Sequence, residues 1–444
     1  MKINTLQNKN LVILGIGQEG LDTFNFLRKK FPNKLIAIAD QKSIFELDRS
    51  IEKIIAEAPY LKYYGGKNYL DSLKNFDVII KSPGIQYEKI KKYLKKDAII
   101  TSQTELFFEN CPANIIGVTG TKGKSTTSSL IYHILKKNGY SAYLLGNIEI
   151  PALSYLDKIK KTDWVVYELS SHQLQFLKIS PTIAVFLNIY PEHLDYYKNF
   201  KEYFNAKANI ALFQKKSDYF IYNPKFPLIK NLAKKVSSKK IPIDSQRYIQ
   251  FFNKYPKLKT ITHSDNLSAV FEIANIFKIN QANILRALKS FKPLEHRLEY
   301  VGQFQGIHFY DDSIATIPEA AIFALDTLGS DVQTLILGGY DRGIDFKKLS
   351  QDLEKRKNLK TLILFPNSGK KIWQGINPKL RQRFNHVFVN NMEKAVKLSY
   401  QYTEPYKICL LSCASPSFGL FKNYKERGDL FKKYIREYGK SSIS

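Results

Sequence analysis

Residues 115–127 constrain this chain more than any other stretch. Ile115-Ile116-Gly117-Val118-Thr119 reads as a buried strand, Gly120-Thr121-Lys122-Gly123 as a tight turn, and Lys124-Ser125-Thr126-Thr127 as the start of a helix. Leu130, Ile131, Ile134 and Leu135 then recur at helical spacing. Strand, glycine turn and helix together are the setting of a phosphate-binding loop: backbone N–H groups converge on the anion, and the helix N-terminus adds partial positive charge. Lys124 is placed to reach the β/γ-phosphates of a nucleotide, and the Ser125 or Thr126 hydroxyl to hold Mg²⁺. The common Gly-x-x-x-x-Gly-Lys-[ST] pattern has glycine where this chain has Val118, so the loop is a tighter variant.

A second glycine turn lies near the start of the chain. Leu11-Val12-Ile13-Leu14 is followed by Gly15-Ile16-Gly17-Gln18-Glu19-Gly20, and Leu21, Phe24 and Leu27 then recur at helical spacing. The next strand, Leu35–Ala39, ends at Asp40, the acidic position of a dinucleotide fingerprint. These residues call for a nucleotide or its diphosphate and do not specify NAD. Phe76–Ile80 runs into Lys81-Ser82-Pro83-Gly84-Ile85, a turn able to present N–H groups, and Ile99 to Ser102 closes a first domain, 1–103.

The phosphate loop belongs to a second domain, 104–292. Tyr143–Leu145 leads into Gly146-Asn147-Ile148, and Trp164–Tyr167 delivers Glu168 at a strand end, where a Mg²⁺ ligand is needed beside a phosphate loop. Ile183–Leu187 delivers Asn188, Glu192, His193 and Asp195 in the same way. Lys207, on a helix, reads by itself as a solvated lysine. From Ser217 to Lys259 the patterning weakens into a basic, proline-containing surface stretch, before helices over 266–277 and 284–291 and a boundary at Lys292-Pro293. Strands Ile307–Tyr310, Thr334–Leu337, Thr361–Phe365 and Ile408–Leu411 alternate with helical stretches in a third domain, 293–444. The fold class is therefore α/β in three domains: a Rossmann-like first, a mononucleotide-binding second and a Rossmann-like third.

Composition limits the partners. No apolar run approaches the ~20 residues of a membrane helix, the first residues lack a secretory pattern, and Cys111, Cys409 and Cys413 have no metal-ligand spacing. A cytoplasmic chain with free thiols is expected. The net charge of +28 comes from lysines scattered through every segment, which points to composition bias more than to a nucleic-acid stripe.

Together these motifs resemble the Mur ligase family, ATP-dependent amide-forming ligases of peptidoglycan synthesis, over nearly the whole length. The Gly15–Asp40 unit with Ser82-Pro83-Gly84-Ile85 is similar to the branch that adds glutamate to UDP-N-acetylmuramoyl-L-alanine. The resemblance implies ATP on Gly120, Thr121, Lys122, Gly123, Lys124, Ser125 and Thr126, with Asn266, Arg297 and Asp312 also at the nucleotide. It implies two Mg²⁺ ions, with Ser125, Glu168 and His193 as ligands, and a carbamylated Lys207 as a further ligand. Lys124, Glu168, His193 and Lys207 would be the catalytic set. Gly15, Gly17, Asp40, Ser82 and Gly84 would hold the uridine diphosphate, and Asn147, Ser170 and Gln173 the sugar end or the metal site. Thr316, Arg342, Ser417 and Tyr424 would line the amino-acid pocket. A monomer acting on small molecules, with no nucleic-acid partner, is implied.

The third domain departs from the family pattern. Asp-Ser-Lys-Ala-Thr-Asn reads Asp312-Ser313-Ile314-Ala315-Thr316-Ile317, a second pocket lysine is Arg342, and Ser-x-Ala-x-Ala-Ser reads Ser412–Ser417 with Pro416 in it. In the second domain, Gly-Asn-Ile-Gly ends in Glu149. Ile314 cannot pair with a carboxylate, whereas Arg342 can do so bidentately. Glutamate is expected as the amino acid, D in preference to L. A folylpolyglutamate-synthase-like ligase would leave Gly15–Asp40 without a purpose, and a nucleic-acid-dependent ATPase rests on charge alone.

Overall fold

The computed structural model describes residues 1–47, 49–147, 152–194, 196–255, 262–291, 295–341 and 343–440. Ile148, Glu149, Asp195, the Lys292-Pro293 boundary and Arg342 lie outside the described residues. The chain falls into two compact units: Met1–Asn253 with Thr262–Phe291, and the remainder.

The first unit holds two parallel sheets. The five strands of one are β1 (Leu11–Leu14), β2 (Ile36–Asp40), β3 (Leu61–Gly65), β4 (Val78–Lys81) and β5 (Ile99–Thr101), in the order β3-β2-β1-β4-β5. The six strands of the other are β6 (Asn114–Thr119), β7 (Ala142–Gly146), β8 (Trp164–Glu168), β9 (Ile183–Phe186), β10 (Tyr219–Tyr222) and β11 (Lys239–Pro242), in the order β11-β10-β9-β6-β8-β7. Central strands such as β1 and β9 are buried at every position because helices cover both faces, which is why they read as unbroken apolar runs. The strand order turns back at β1 and at β6, and ligand crevices open at the strand C-terminal ends where it does so. Both glycine turns leave from these points.

One core runs through both sheets of this unit. Helix Gln103–Asn110, capped by the Ser102 hydroxyl on Glu105 N–H, packs Phe107 and Phe108 edge-on or tilted against Tyr167 of β8, with ring centroids 5.4 and 5.3 Å apart. Three such aromatic side chains, all buried, weld the first sheet to the strand that carries Glu168.

The surface stretch expected over 217–259 is corrected: it supplies β10, β11 and helix Pro227–Lys235. Phe220 and Ile221 are buried in β10, and the helix buries Ile229, Leu232 and Ala233 while its lysines face outward. The edge strand β11 begins with two exposed lysines, Lys239 and Lys240, which is how an edge resists further pairing and also why the sequence looks like surface.

The second unit has one six-stranded sheet: β12 (Glu299–Phe304), β13 (Ile307–Asp311), β14 (Val332–Gly339), β15 (Thr361–Asn367), β16 (Asn385–Phe388) and β17 (Ile408–Leu411). Its order is β12-β13-β17-β14-β15-β16, with only the β12–β13 pair antiparallel. Clusters of buried side chains pack on its two faces, one around Leu335, Leu362 and Leu410 and the other around Ile336, Ile363 and Leu411. Alternate residues of the same strands thus feed opposite faces.

Candidate active site

The phosphate loop forms as the sequence demands. Gly123, at the N-cap of helix Lys124–Lys137, is left-handed (φ +81°), and a β-carbon there would collide with the Asn266 amide. Glycine is therefore required twice over, and Asn266 is brought to the loop. Asn188, just past β9, clamps the turn: its Oδ1 accepts from Lys122 N–H at 2.8 Å and its Nδ2 donates to Lys122 O at 2.9 Å. Thr121 accepts from Tyr190 N–H at 2.9 Å and meets the Tyr203 hydroxyl at 3.1 Å. Lys124 Nζ folds onto the Gly120 and Thr121 carbonyls, each at 3.0 Å.

A cavity of about 220 Å³ opens over this loop, lined among others by Gly84, Lys124, Asn147, Ser170, His193 and Lys207. The structure thus gathers six of the residues singled out by sequence. Glu168 is buried at the end of β8, and Asn147 donates to its Oε1 at 2.9 Å. Its Oε2 is buried with no hydrogen-bond partner among the described residues. An unpartnered carboxylate oxygen beside a phosphate loop fits a divalent cation, since a buried anion is costly unless paired or bound to metal. His193 holds φ +57° at the turn after β9, and its ring lies 4.7 Å from that of His172.

Lys207 overturns the reading of a solvated lysine. It is fully buried on helix Phe200–Leu212, and its ammonium donates to Gly120 O at 2.9 Å and Thr119 Oγ1 at 3.3 Å. Burial, with the charge of Lys124 added to it, holds its pKa well below the usual lysine value. Both effects shift the balance toward the neutral amine.

Sequence reasoning passed over two residues that line the same cavity. Glu192 was read as part of the strand-end set with Asn188, His193 and Asp195 but given no role, yet its carboxylate bonds Lys122 at 3.2 Å. Burial would raise its pKa, but Lys122, Lys124 and His193 outweigh that and bring it to about 2. His172 packs against Tyr196 at 4.3 Å, and burial holds its pKa down to about 3, so it is neutral. The signal for Glu192 was its place one residue from His193 at a strand end; His172 carried none.

At the first sheet, Gly15 (φ +96°) approaches Ser82, whose hydroxyl donates to Gly15 O at 3.2 Å. Gly17 caps helix Gln18–Lys30 and leaves open space beside it. Asp40 accepts from Ile16 N–H at 2.8 Å and Lys42 N–H at 2.9 Å, so its carboxylate fixes the shape of the glycine turn. Ser170 and Gln173 form a capping box on the turn after β8.

In the second unit, Asp312 is buried at the end of β13, accepting from Ser412 Oγ at 2.8 Å and Leu298 N–H at 3.2 Å. Arg297 lies close enough to act on it electrostatically, and Arg297 Nε is buried without a partner among the described residues. Arg427, which sequence reasoning did not single out, is completely buried. It donates to Ser313 Oγ (3.0 Å), Ser313 O (2.6 Å) and Ser415 O (3.0 Å), tying the loops after β13 and β17. Tyr424 O accepts from Ser313 Oγ at 2.8 Å, Ser417 is buried and Thr316 is half-buried.

Residues 118–290 match the Mur ligase middle domain. The proteins named UDP-N-acetylmuramoylalanine--D-glutamate ligase in Acetivibrio thermocellus and Clostridium tetani are each 32% identical to this chain, over 97% of it and 97% of theirs. Among solved structures, UDP-N-acetylmuramate-alanine ligase MurC from Thermotoga maritima superposes with a TM-score of 0.57 at 16% identity, covering 98% of this chain and 100% of that one. MurF ligase from the same organism, in complex with ADP, gives 0.58 at 16% identity, covering 98% and 97%. These last two share the fold. Identity at the level of the first two, sustained over almost the whole of both chains, places the protein in their family: it is a Mur ligase, one of the ATP-dependent enzymes that join an amino acid to a carboxylate through an amide bond.

Proposed function

We propose that this enzyme adds D-glutamate to UDP-N-acetylmuramoyl-L-alanine in the cytoplasmic assembly of peptidoglycan precursors. The observation that carries the reading is 32% identity, over 97% of this chain and 97% of theirs, to two ligases of that name. The cavity lined by Lys124, His193 and Lys207, with Glu168 at the strand end beside the same loop, supplies the chemistry. The working division is 1–103 for the sugar nucleotide, 104–292 for ATP and 293–444 for the amino acid and ATP closure.

A carboxylate does not react with an amine at neutral pH until it gains a leaving group. ATP phosphorylates the alanyl carboxylate to an acyl phosphate, the glutamate amine attacks, and phosphate leaves. Lys124 withdraws from the loop carbonyls onto the transferring phosphate and offsets its charge. Ser125, Glu168 and His193 would hold Mg²⁺, which would stabilise the charge on the phosphoryl oxygens. Burial and Lys124 favour a neutral Lys207 amine, the form that takes up CO₂; as a carbamate it would become an anion able to ligate a second Mg²⁺. Gly15, Gly17, Asp40, Ser82 and Gly84 serve the uridine diphosphate, with Asp40 acting through the turn it shapes. Asn147, Ser170 and Gln173 serve the sugar end or the metal site, Gln173 through the Ser170 turn it holds; Asn266, Arg297 and Asp312 serve the nucleotide, and Thr316, Arg342, Ser417 and Tyr424 the amino acid. The enzyme works as a monomer.

The test is phosphate release with UDP-N-acetylmuramoyl-L-alanine, ATP–Mg²⁺ and each glutamate enantiomer. Turnover with D-glutamate is expected. Turnover with L-glutamate alone would make the enzyme an L-glutamate-adding member of the family, a switch that needs a rearranged amino-acid pocket, and failure with both would remove glutamate.

A further inference from the structure

Glu19 has no part in the reaction as described, yet it makes a bond between the sugar-nucleotide sheet and the catalytic cavity. It stands in the first turn of helix Gln18–Lys30, two residues past Gly17. An acid there usually turns toward the helix's own free N–H groups. This one reaches across instead: its Oε1 accepts from Gln173 Nε2 at 2.8 Å. Its main-chain carbonyl is held in turn by Gln103 Nε2 at 2.9 Å. Its Oε2 is buried without a hydrogen-bond partner among the described residues, with the Lys81 ammonium close enough to act on it.

Gln173 passes the constraint on. With Nε2 committed to Glu19, its Oε1 must face the opposite way, where it accepts from Ser170 N–H at 3.0 Å and Ser170 Oγ at 3.2 Å. Ser170 lines the cavity that also holds Lys124 and Lys207. A single carboxylate therefore fixes which way an amide points, and the amide fixes the turn that borders the reaction centre. The helix end that carries this carboxylate is also the end that leaves the glycine turn proposed for the diphosphate.

We propose that Glu19 is a positioning residue: it sets the register between the sugar-nucleotide turn and the Ser170 turn, so that a substrate anchored at the first presents its carboxyl end to the second. The proposal rests on the functional reading above. Misplacement of reacting groups by about 1 Å costs on the order of 10²-fold in rate while leaving anchoring contacts intact. The loss should therefore fall on kcat and spare the KM for the sugar nucleotide.

The test compares wild type, Glu19→Gln and Glu19→Leu by steady-state kinetics, thermal unfolding and amide hydrogen exchange over 168–175. Glu19→Gln keeps an oxygen that accepts from Gln173 and should retain kcat within about threefold. Glu19→Leu should lose about tenfold or more in kcat, with the KM values for sugar nucleotide and ATP within about twofold, and the Ser170 amide should exchange faster in Leu than in Gln. Equal exchange in the two variants, an unchanged kcat in Leu, or a loss that follows thermal stability in both variants would overturn the positioning role. Absence of product with the wild-type enzyme would instead remove the functional reading, and the exchange comparison would still decide whether Glu19 holds the turn.

Discussion

The strand ends of the central sheet leave charge unmet, whereas those of the third sheet satisfy theirs internally. At the first, among the described residues, Lys207 is buried against one carbonyl and one hydroxyl with no carboxylate bonded to it, and Glu168 keeps an unpartnered oxygen. At the second, Arg427 spends its donors on two loops, His296 Nδ1 meets Asp311 at 2.7 Å, and Lys432 meets Glu299 at 3.2 Å. Among the described residues Arg297 Nε departs from this pattern, and it is a residue proposed for the nucleotide. Buried groups without partners cost stability, so a fold retains them where a ligand will supply the partner. The central cavity is built to receive charge; the third sheet's network is built to hold loops in place.

That contrast can be broken most sharply at Lys124. Lys124→Ala should lower product formation by about 10³-fold or more, because its ammonium offsets charge that develops only during transfer. Near-normal turnover would remove the loop from the chemistry. Lys207→Ala should lose on the order of 10²-fold and recover in part with a short carboxylic acid that stands in for the carbamate. Failure to recover would argue against the modification while leaving the lysine's place in the site.

A pair of substitutions sets the two regions side by side. Arg427→Met strands the Ser313 and Ser415 carbonyls, each worth about 1–3 kcal/mol when left buried and unpaired, and should lower Tm by several degrees. Lys207→Met removes an amine that burial penalises and should hold or raise Tm while activity is lost. Thermal unfolding of both variants decides the matter: equal losses would mean that the central lysine is as structural as the arginine.

How legible these regions were follows from how local their signals are. The phosphate loop and Glu168 could be read because strand, turn and strand-end carboxylate lie within short contiguous stretches. Lys207 was reached only through the family resemblance and Arg427 was not reached, since helical spacing shows that a residue lies on a helix and not what packs over it. Asp40 was found by its spacing, but that its carboxylate binds Ile16 and Lys42 N–H depends on two strand ends meeting. The strands within 217–259 were missed because β10 offers only Phe220 and Ile221 as buried apolar residues and β11 begins with lysines. Ile314 was flagged as a departure, and in the fold its N–H donates to His296 O at 3.1 Å, a bond any residue but proline could make.

The smallest effect tests the third sheet's network from within. Burial raises the Asp312 carboxyl to about 7, against the lowering influence of the Ser412 hydroxyl and Arg297. The unfolded chain ionises this group near 3.8. The folded state therefore binds the proton more tightly, and the stability this contributes is complete below about pH 4, declines as pH rises toward 7, and is gone above it. Asp312→Asn carries a permanent neutral equivalent: its oxygen can accept from Leu298 N–H and its amide can donate to Ser412 Oγ. The gap in Tm between variant and wild type should widen in the variant's favour from pH 4 to 7 and then level, with all other titrating groups cancelling in the comparison. A gap independent of pH would mean that solvent or a cation reaches Asp312, and that the third sheet's edge is open to charge in the way the central cavity is.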